Sequence, residues 1–250
     1  MIVTAALSYF DDDLELLGQC LRSLPVVADR LVVADGRYER YPLNDNTQSP
    51  KAHLDFIRTT CREIGLPVKI DVARKVYAGQ CEKRTRLLGL AAEGSDWIVG
   101  VDTDHVLHGA RYSVRHELEQ LDDDVDAVDV TYYTPLNHDR PLKETAAGSW
   151  HEALAGDYAI ITGLFRALPG YVVEKHHWWY SAMKGGQRTW IWGGDGHYPH
   201  TKVHSMRAPY VVEHKCLFRR DEHVLANREF CEDRERLLRE TAQEDAMVAA

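Results

Sequence analysis

The 250-residue chain has no apolar run long enough to span a bilayer, and no basic, apolar start of the kind a secretory leader needs. Met1-Ile2-Val3-Thr4-Ala5-Ala6-Leu7-Ser8 runs straight into Asp11-Asp12-Asp13. Its five cysteines (Cys20, Cys61, Cys81, Cys216 and Cys231) are scattered, with no C-x-x-C spacing. That argues against a disulfide framework and against a zinc knuckle, and the expected setting is the cytoplasm. Basic residues are short of acidic ones, leaving a formal charge of −9. Binding to duplex DNA through a broad basic face is therefore not expected, although a local basic pocket for a phosphate is allowed. There are 13 histidines but no H-x-H or H-E-x-x-H spacing, which weakens a metallohydrolase reading. The first strand end, Ala5-Ala6-Leu7-Ser8-Tyr9, has no glycine, whereas a nucleotidyltransferase wants a Gly-rich phosphate loop there.

What is present is an ordinary globular composition, 44% hydrophobic and 28% charged, enough for one substantial core. The first hundred residues alternate between strand and helix patterns, the mark of βαβ units. Residues 2–8 read as a buried strand. Asp12 and Glu15 read as a capping box for a helix carrying Leu14, Leu17, Leu21 and Leu24, stopped by Pro25. Residues 30–36 form a second strand ending in Asp35-Gly36. Ser49-Pro50 opens a helix with Leu54, Ile57, Cys61 and Ile64 on one face, and Gly65 and Pro67 end it. Residues 68–72 are a third strand, and a helix from Glu82 buries Leu87, Leu88 and Ala91. Past residue 104 the alternation loosens. A helix over Val114, Leu118 and Leu121 and strands near 126–133, 158–165, 188–192 and 209–212 are expected. So is a charged C-terminal helix from about 221. The expected fold is a three-layer α/β/α sandwich around a mostly parallel sheet, in one domain. Residues 1–107 would bind a nucleotide sugar, 108–220 would serve the acceptor side, and 221–250 would be a helix and tail.

The most informative stretch is Ser95-Asp96-Trp97-Ile98-Val99-Gly100-Val101-Asp102-Thr103-Asp104-His105. Other Asp-x-Asp triplets, at Asp11/Asp13, Asp122/Asp124 and Asp124/Asp126, stand in polar stretches. Only Asp102/Asp104 closes an apolar strand, where two carboxylates can hold a hard divalent cation and leave positions open for a diphosphate. The first strand ends at Ser8-Tyr9-Phe10-Asp11 and the second at Asp35-Gly36, so acid-bearing strand ends should share one sheet edge. Asp35 either accepts from a base or ribose or simply belongs to a turn. Lys83, Arg84 and Arg86 precede the acidic strand and offer charge to phosphate.

Three segments in order, Asp35-Gly36, then Arg86-Leu87-Leu88-Gly89, then Asp96 to Asp104, resemble the family 2-type glycosyltransferases of the GT-A fold, over about residues 1–107. The sequence departs from that pattern in keeping one acid at 35 and in having Leu87 where the family has asparagine. The resemblance implies a glycosyltransferase using a UDP- or GDP-linked sugar with Mn²⁺ or Mg²⁺. Donor contacts would come from Ser8, Asp11, Asp35, Lys83, Arg86, Asp102 and Arg207. The metal would be held by Asp102, Asp104 and a late histidine, His204, with His214-Lys215 as the fallback. For a catalytic base, Asp195 in Gly193-Gly194-Asp195-Gly196 comes first, with Glu174 and Glu152 behind it. Trp178-Trp179-Tyr180 suits either packing or an acceptor platform. The competing classes are a Mg²⁺-dependent nucleotidyltransferase and a non-catalytic carbohydrate- or nucleotide-sugar-binding protein.

Overall fold

The computed structural model describes residues 1–39, 41, 45–133, 158–174, 180–192 and 201–215. The chain starts with strand β1 (Val3–Tyr9), helix α1 (Leu14–Ser23), a 3₁₀ turn (Leu24–Val26) and strand β2 (Arg30–Asp35). Helix α2 (Lys51–Glu63), strand β3 (Val68–Val72), helix α3 (Gln80–Ala92) and strand β4 (Trp97–Val101) follow. The second half adds β5 (His105–Gly109), α4 (Arg111–Glu119), β6 (Ala127–Tyr133) and β7 (Tyr158–Arg166). It ends with β8 (Val172–Val173), β9 (Tyr180–Lys184), β10 (Gln187–Trp192), β11 (Val203–Ser205) and β12 (Tyr210–His214).

The large sheet runs β3-β2-β1-β4-β7-β6-β12-β5, and β11 also pairs with β6. β1 to β4 are parallel to one another; β7 runs against β4 and β6, and β5 against β12. The class is α/β with a mostly parallel sheet, as the alternation predicts. Because the central strands are covered on both faces, they are apolar throughout rather than alternating. Odd positions (Val3, Ala5, Leu7, Tyr9; Leu31, Val33; Trp97, Val99, Val101) face a core shared with Leu17 and Leu21 of α1, Ile57 and Cys61 of α2, and Val114 and Leu118 of α4. Even positions (Ala6, Val32, Ala34, Ile98) face Leu87, Leu88 and Ala91 of α3. The second outer layer differs from a helical one. It joins α3 to a three-stranded antiparallel sheet, β10-β9-β8, whose Val173, Tyr180, Ala182 and Ile191 pack on the same core.

Local details shift two expected caps. Asp13, not Asp12, caps α1, accepting from the amides of Glu15 and Leu16 at 2.8 and 3.1 Å. α2 has no side-chain cap, and Ser49 turns instead toward Asp35. In both places a polar side chain near the start of a helix finds a partner across the sheet edge. Sequence spacing alone does not contain that competition. β5, immediately after the Asp-x-Asp turn, was not visible in the apolar pattern. The helix proposed from residue 221 lies outside the described residues. No helix among the described residues is long and apolar enough to cross a membrane.

Glu117 ties the β11–β12 corner to α4, accepting from the backbone N–H groups of Arg207 and Ala208 at 2.7 and 2.6 Å and meeting His204 Nε2 at 2.7 Å. Burial opposes ionisation of Glu117, but these contacts outweigh it and hold its pKa below the usual glutamate range. A carboxylate with a depressed folded pKa adds stability that is present above the unfolded pKa and lost as pH falls through the folded one. Glu117→Gln is therefore expected to cost about 1–3 kcal/mol in urea unfolding near pH 6.5. The gap to wild type should close as the pH is lowered below the unfolded value. A gap that stays constant from pH 6.5 to 3.5 contradicts the assignment.

Candidate metal and nucleotide site

β1 has β2 on one side and β4 on the other, so the chain reverses its direction of travel across the sheet at β1. Connections that diverge in this way leave a crevice at the carboxyl ends of the strands. The registers Tyr9↔Asp35 and Leu7↔Val101 bring the ends of β1, β2 and β4 to one edge. Asp11, Asp35 and Asp102 all stand there.

The turn after β4 is pinned from several sides. His105 N–H donates to the Asp102 carbonyl at 3.0 Å. The Thr103 hydroxyl hydrogen-bonds the Asp12 carboxylate that the helix cap does not use, and Cys20 donates its thiol to the Asp102 carbonyl at 3.4 Å. The chain then leaves as β5, which pairs with β12 so that His105 stands opposite His214. Lys215 N–H donates to the Asp104 carbonyl at 2.7 Å, closing the pair over the turn. Asp104 is consequently only 3% exposed, and its Oδ2 lies 3.3 Å from His214 Nε2. The rings of His105 and His214 cross at 82°, with centroids 5.0 Å apart.

Donor atoms of Asp104, His105 and His214 lie within 4.8 Å of one another, a spacing that one ion can gather with small side-chain movements. One carboxylate and two imidazoles make a donor set that suits Mn²⁺ or a later transition ion better than Mg²⁺, which prefers oxygen ligands. The Asp102 N–H donates to His105 Nδ1 at 3.2 Å, which puts the proton of neutral His105 on Nε2. An ion held through His105 Nε2 requires that contact to be given up. The Asp102 carboxylate itself is taken by Arg84, whose Nη2 sits 2.9 and 3.2 Å from its two oxygens.

The other expected site residues divide. Asp35 is fully buried and accepts from the Ser49 N–H; burial raises its pKa and Ser49 opposes the rise. Asp11 adopts a left-handed conformation (φ 42°), donates its N–H to Ser49 Oγ at 2.8 Å, and places its carboxylate 3.6 Å from His53 Nδ1. Ser8 is half-buried near the end of β1. Lys83 is turned toward the ends of β1 and β2. It is 1% exposed and donates to the carbonyls of Tyr9 and Gly36, both at 2.7 Å, and burial lowers its pKa to about 7. Arg86 points outward and pairs with Asp71, one of its bonds being 2.7 Å.

His204 stands apart from the Asp104 group. It pairs with Val128 near the start of β6, whereas Glu213, next to His214, pairs with Tyr133 at the end of that strand. Five residues of strand separate the two levels, about 16 Å. His204 and the backbone of exposed Arg207 serve the Glu117 clamp instead, so the histidine at the turn is the fallback, His214. Glu174 is half-buried just after β8, beside α3. Asp195, Glu152, Trp178 and Trp179 lie outside the described residues; Tyr180 is buried. Sequence reading passed over His105 and the Arg84–Asp102 pair. For His105 the signal was adjacency to the acidic turn, and for Arg84 membership of the basic run 83–86.

No protein-family model matches this sequence, and no curated protein matches it. Among solved structures, the chain is similar to 4-diphosphocytidyl-2C-methyl-D-erythritol synthase from Anaerococcus prevotii DSM 20548. The identity is 12%, the TM-score is 0.37, and the match covers 66% of this chain and 71% of that one. The strand order and registers above carry the fold assignment without it.

Lys83 gives the site a structural test. Its ammonium satisfies two carbonyls at the ends of β1 and β2, and replacing it by an apolar chain leaves both without that donor. Lys83→Met is expected to lower stability by about 1–3 kcal/mol in denaturant unfolding. Stability within a few tenths of wild type would mean that water replaces the ammonium freely.

Proposed function

We propose that this chain is a metal-dependent glycosyltransferase that uses a nucleotide-diphosphate sugar, UDP- or GDP-linked, with an acceptor of unassigned class. The observation that carries the reading is the Asp102-Thr103-Asp104 turn at the β1/β4 switch point, with buried Asp104 held between His105 and His214. A divalent ion bound there would neutralise charge on the donor's diphosphate as the leaving group forms. Asp104 and His214 are its proposed ligands, with His105 beside them, and Mn²⁺ is preferred to Mg²⁺ because of the imidazoles. Asp35 and Ser49 at the end of β2 are the proposed nucleoside contacts. A cleft of about 670 Å³ opens beside them, lined in part by Gln48, Asp71, Ala73, Tyr77 and Arg86. That volume suits a nucleoside-sized ligand. For the base, Asp195 remains the first proposal and Glu174 the second.

The nucleotidyltransferase alternative shares the metal and the strand-end acids but lacks support at β1, which continues into Phe10-Asp11-Asp12 rather than a glycine loop. Product analysis separates the two. A glycosyltransferase releases nucleoside diphosphate from a nucleotide sugar, while a nucleotidyltransferase releases pyrophosphate from a nucleoside triphosphate.

The decisive experiment is thermal unfolding with UDP- and GDP-sugars, with and without Mn²⁺. Ligand at 100 times its Kd adds about 2.7 kcal/mol of stability, so a true donor raises Tm by several degrees only when metal is present. Asp104→Asn and His214→Ala should each abolish the Mn²⁺-dependent rise, while His204→Ala should retain it. Loss of the rise in His204→Ala with a normal ligand-free Tm would return His204 to the site. A panel in which no nucleotide sugar raises the Tm with Mn²⁺ sinks the proposal.

A further inference from the structure

The Arg84–Asp102 pair joins helix α3 to the same turn. The side chains of Arg84 and Asp102 are 17% and 26% exposed. A single guanidinium nitrogen, Nη2, faces both Asp102 oxygens, so this is not the two-nitrogen fork that would occupy the whole side chain. Buried Tyr180, on β9, lies near the same guanidinium, whose charge works against the burial that raises the tyrosine's pKa. Burial works against the Arg84 charge, and Asp102 more than restores it, so the cation is permanent. Asp102 is two residues from Asp104, and Arg84, Asp102 and Asp104 all act on the hydroxyl of buried Tyr132, whose ring lies 5.5 Å from that of His105, so a fixed positive charge stands in the neighbourhood of the cluster that could hold a cation. In that arrangement the first acid of the Asp-x-Asp pair is engaged, and the group nearest to it repels a metal ion.

We propose that Arg84 is the internal counterion of Asp102, holding that carboxylate away from the cation site until a nucleoside diphosphate draws the guanidinium onto its phosphate oxygens. Arg84 thereby couples metal binding to diphosphate binding. The proposal rests on the metal and nucleotide reading above. Its physical basis is charge balance. Without a diphosphate, moving Asp102 to the metal strands a buried guanidinium next to a divalent cation. With a diphosphate present, each cation has an anion, and linkage makes each ligand strengthen the other. No bond is made or broken in the exchange.

The test is Mn²⁺ titration followed by the EPR signal of the free ion, using full-length wild type, Arg84→Met, and the double variant Arg84→Met/Asp102→Asn. Each is measured without nucleotide and with UDP or GDP. Arg84→Met should bind Mn²⁺ about tenfold more tightly in the absence of nucleotide, because Asp102 is released and a repelling charge is gone. The double variant should lose that gain. In wild type, UDP or GDP should tighten Mn²⁺ binding at least tenfold, and in Arg84→Met by less than about threefold. Arg84→Gln, which keeps an amide donor toward Asp102 without the charge, is measured alongside in case the methionine variant does not fold; the same directions are expected. Mn²⁺ bound by wild type, with equal or weaker affinity in the folded Arg84 variants, overturns the role of Arg84 alone. So does a gain that persists in the double variant. Wild type that binds no Mn²⁺ with or without either nucleotide overturns the functional reading and this proposal together.

Discussion

Where β1, β2 and β4 end side by side, backbone carbonyls and the carboxylates of Asp11, Asp35, Asp102 and Asp104 crowd into a partly dry edge of the sheet. Negative charge gathered there is costly unless it is paired or hydrogen-bonded. Helix α3 supplies the answer with two adjacent residues. Lys83 reaches the carbonyls of Tyr9 and Gly36, and Arg84 reaches the carboxylate of Asp102. The same helix packs its apolar residues Leu87, Leu88 and Ala91 in one cluster with the small side chains Ala6 and Ala34. One helix therefore contributes both to the packing of one layer and to the electrostatics of the candidate site.

The same economy governs the second half of the chain. β12 returns antiparallel to β5 and carries His214 to the level of His105, so the turn after β4 is closed by a strand more than a hundred residues away. The Glu117 clamp holds the connection between β11 and β12 against α4.

Much of this was legible in the residues. The βαβ order through residue 104, the two-sided burial of the central strands and the special status of Asp102/Asp104 all follow from apolar spacing and strand length. Caps and charges were less legible, because each has several partners within reach. Asp12 and Asp13 are both plausible caps by spacing. The choice is settled by the Thr103 hydroxyl, 91 residues away, which engages Asp12. Lys83 reads as a surface cation from its neighbours, and only the burial of its ammonium between two strand ends shows otherwise. His204 and His214 look alike on a line; sheet register separates them, because one pairs at the start of β6 and the other lies just past its end.

By itself the sequence determined the class of fold, the edge of the sheet at which polar chemistry gathers, and the acidic turn at its centre, because these depend on periodicities of two and 3.6 residues and on nearest neighbours. Tertiary structure alone decided which histidines meet Asp104, which cation answers Asp102 and which of the basic residues on α3 is buried. Those outcomes depend on contacts between segments far apart in the chain, set by strand order and register, and no local spacing encodes them.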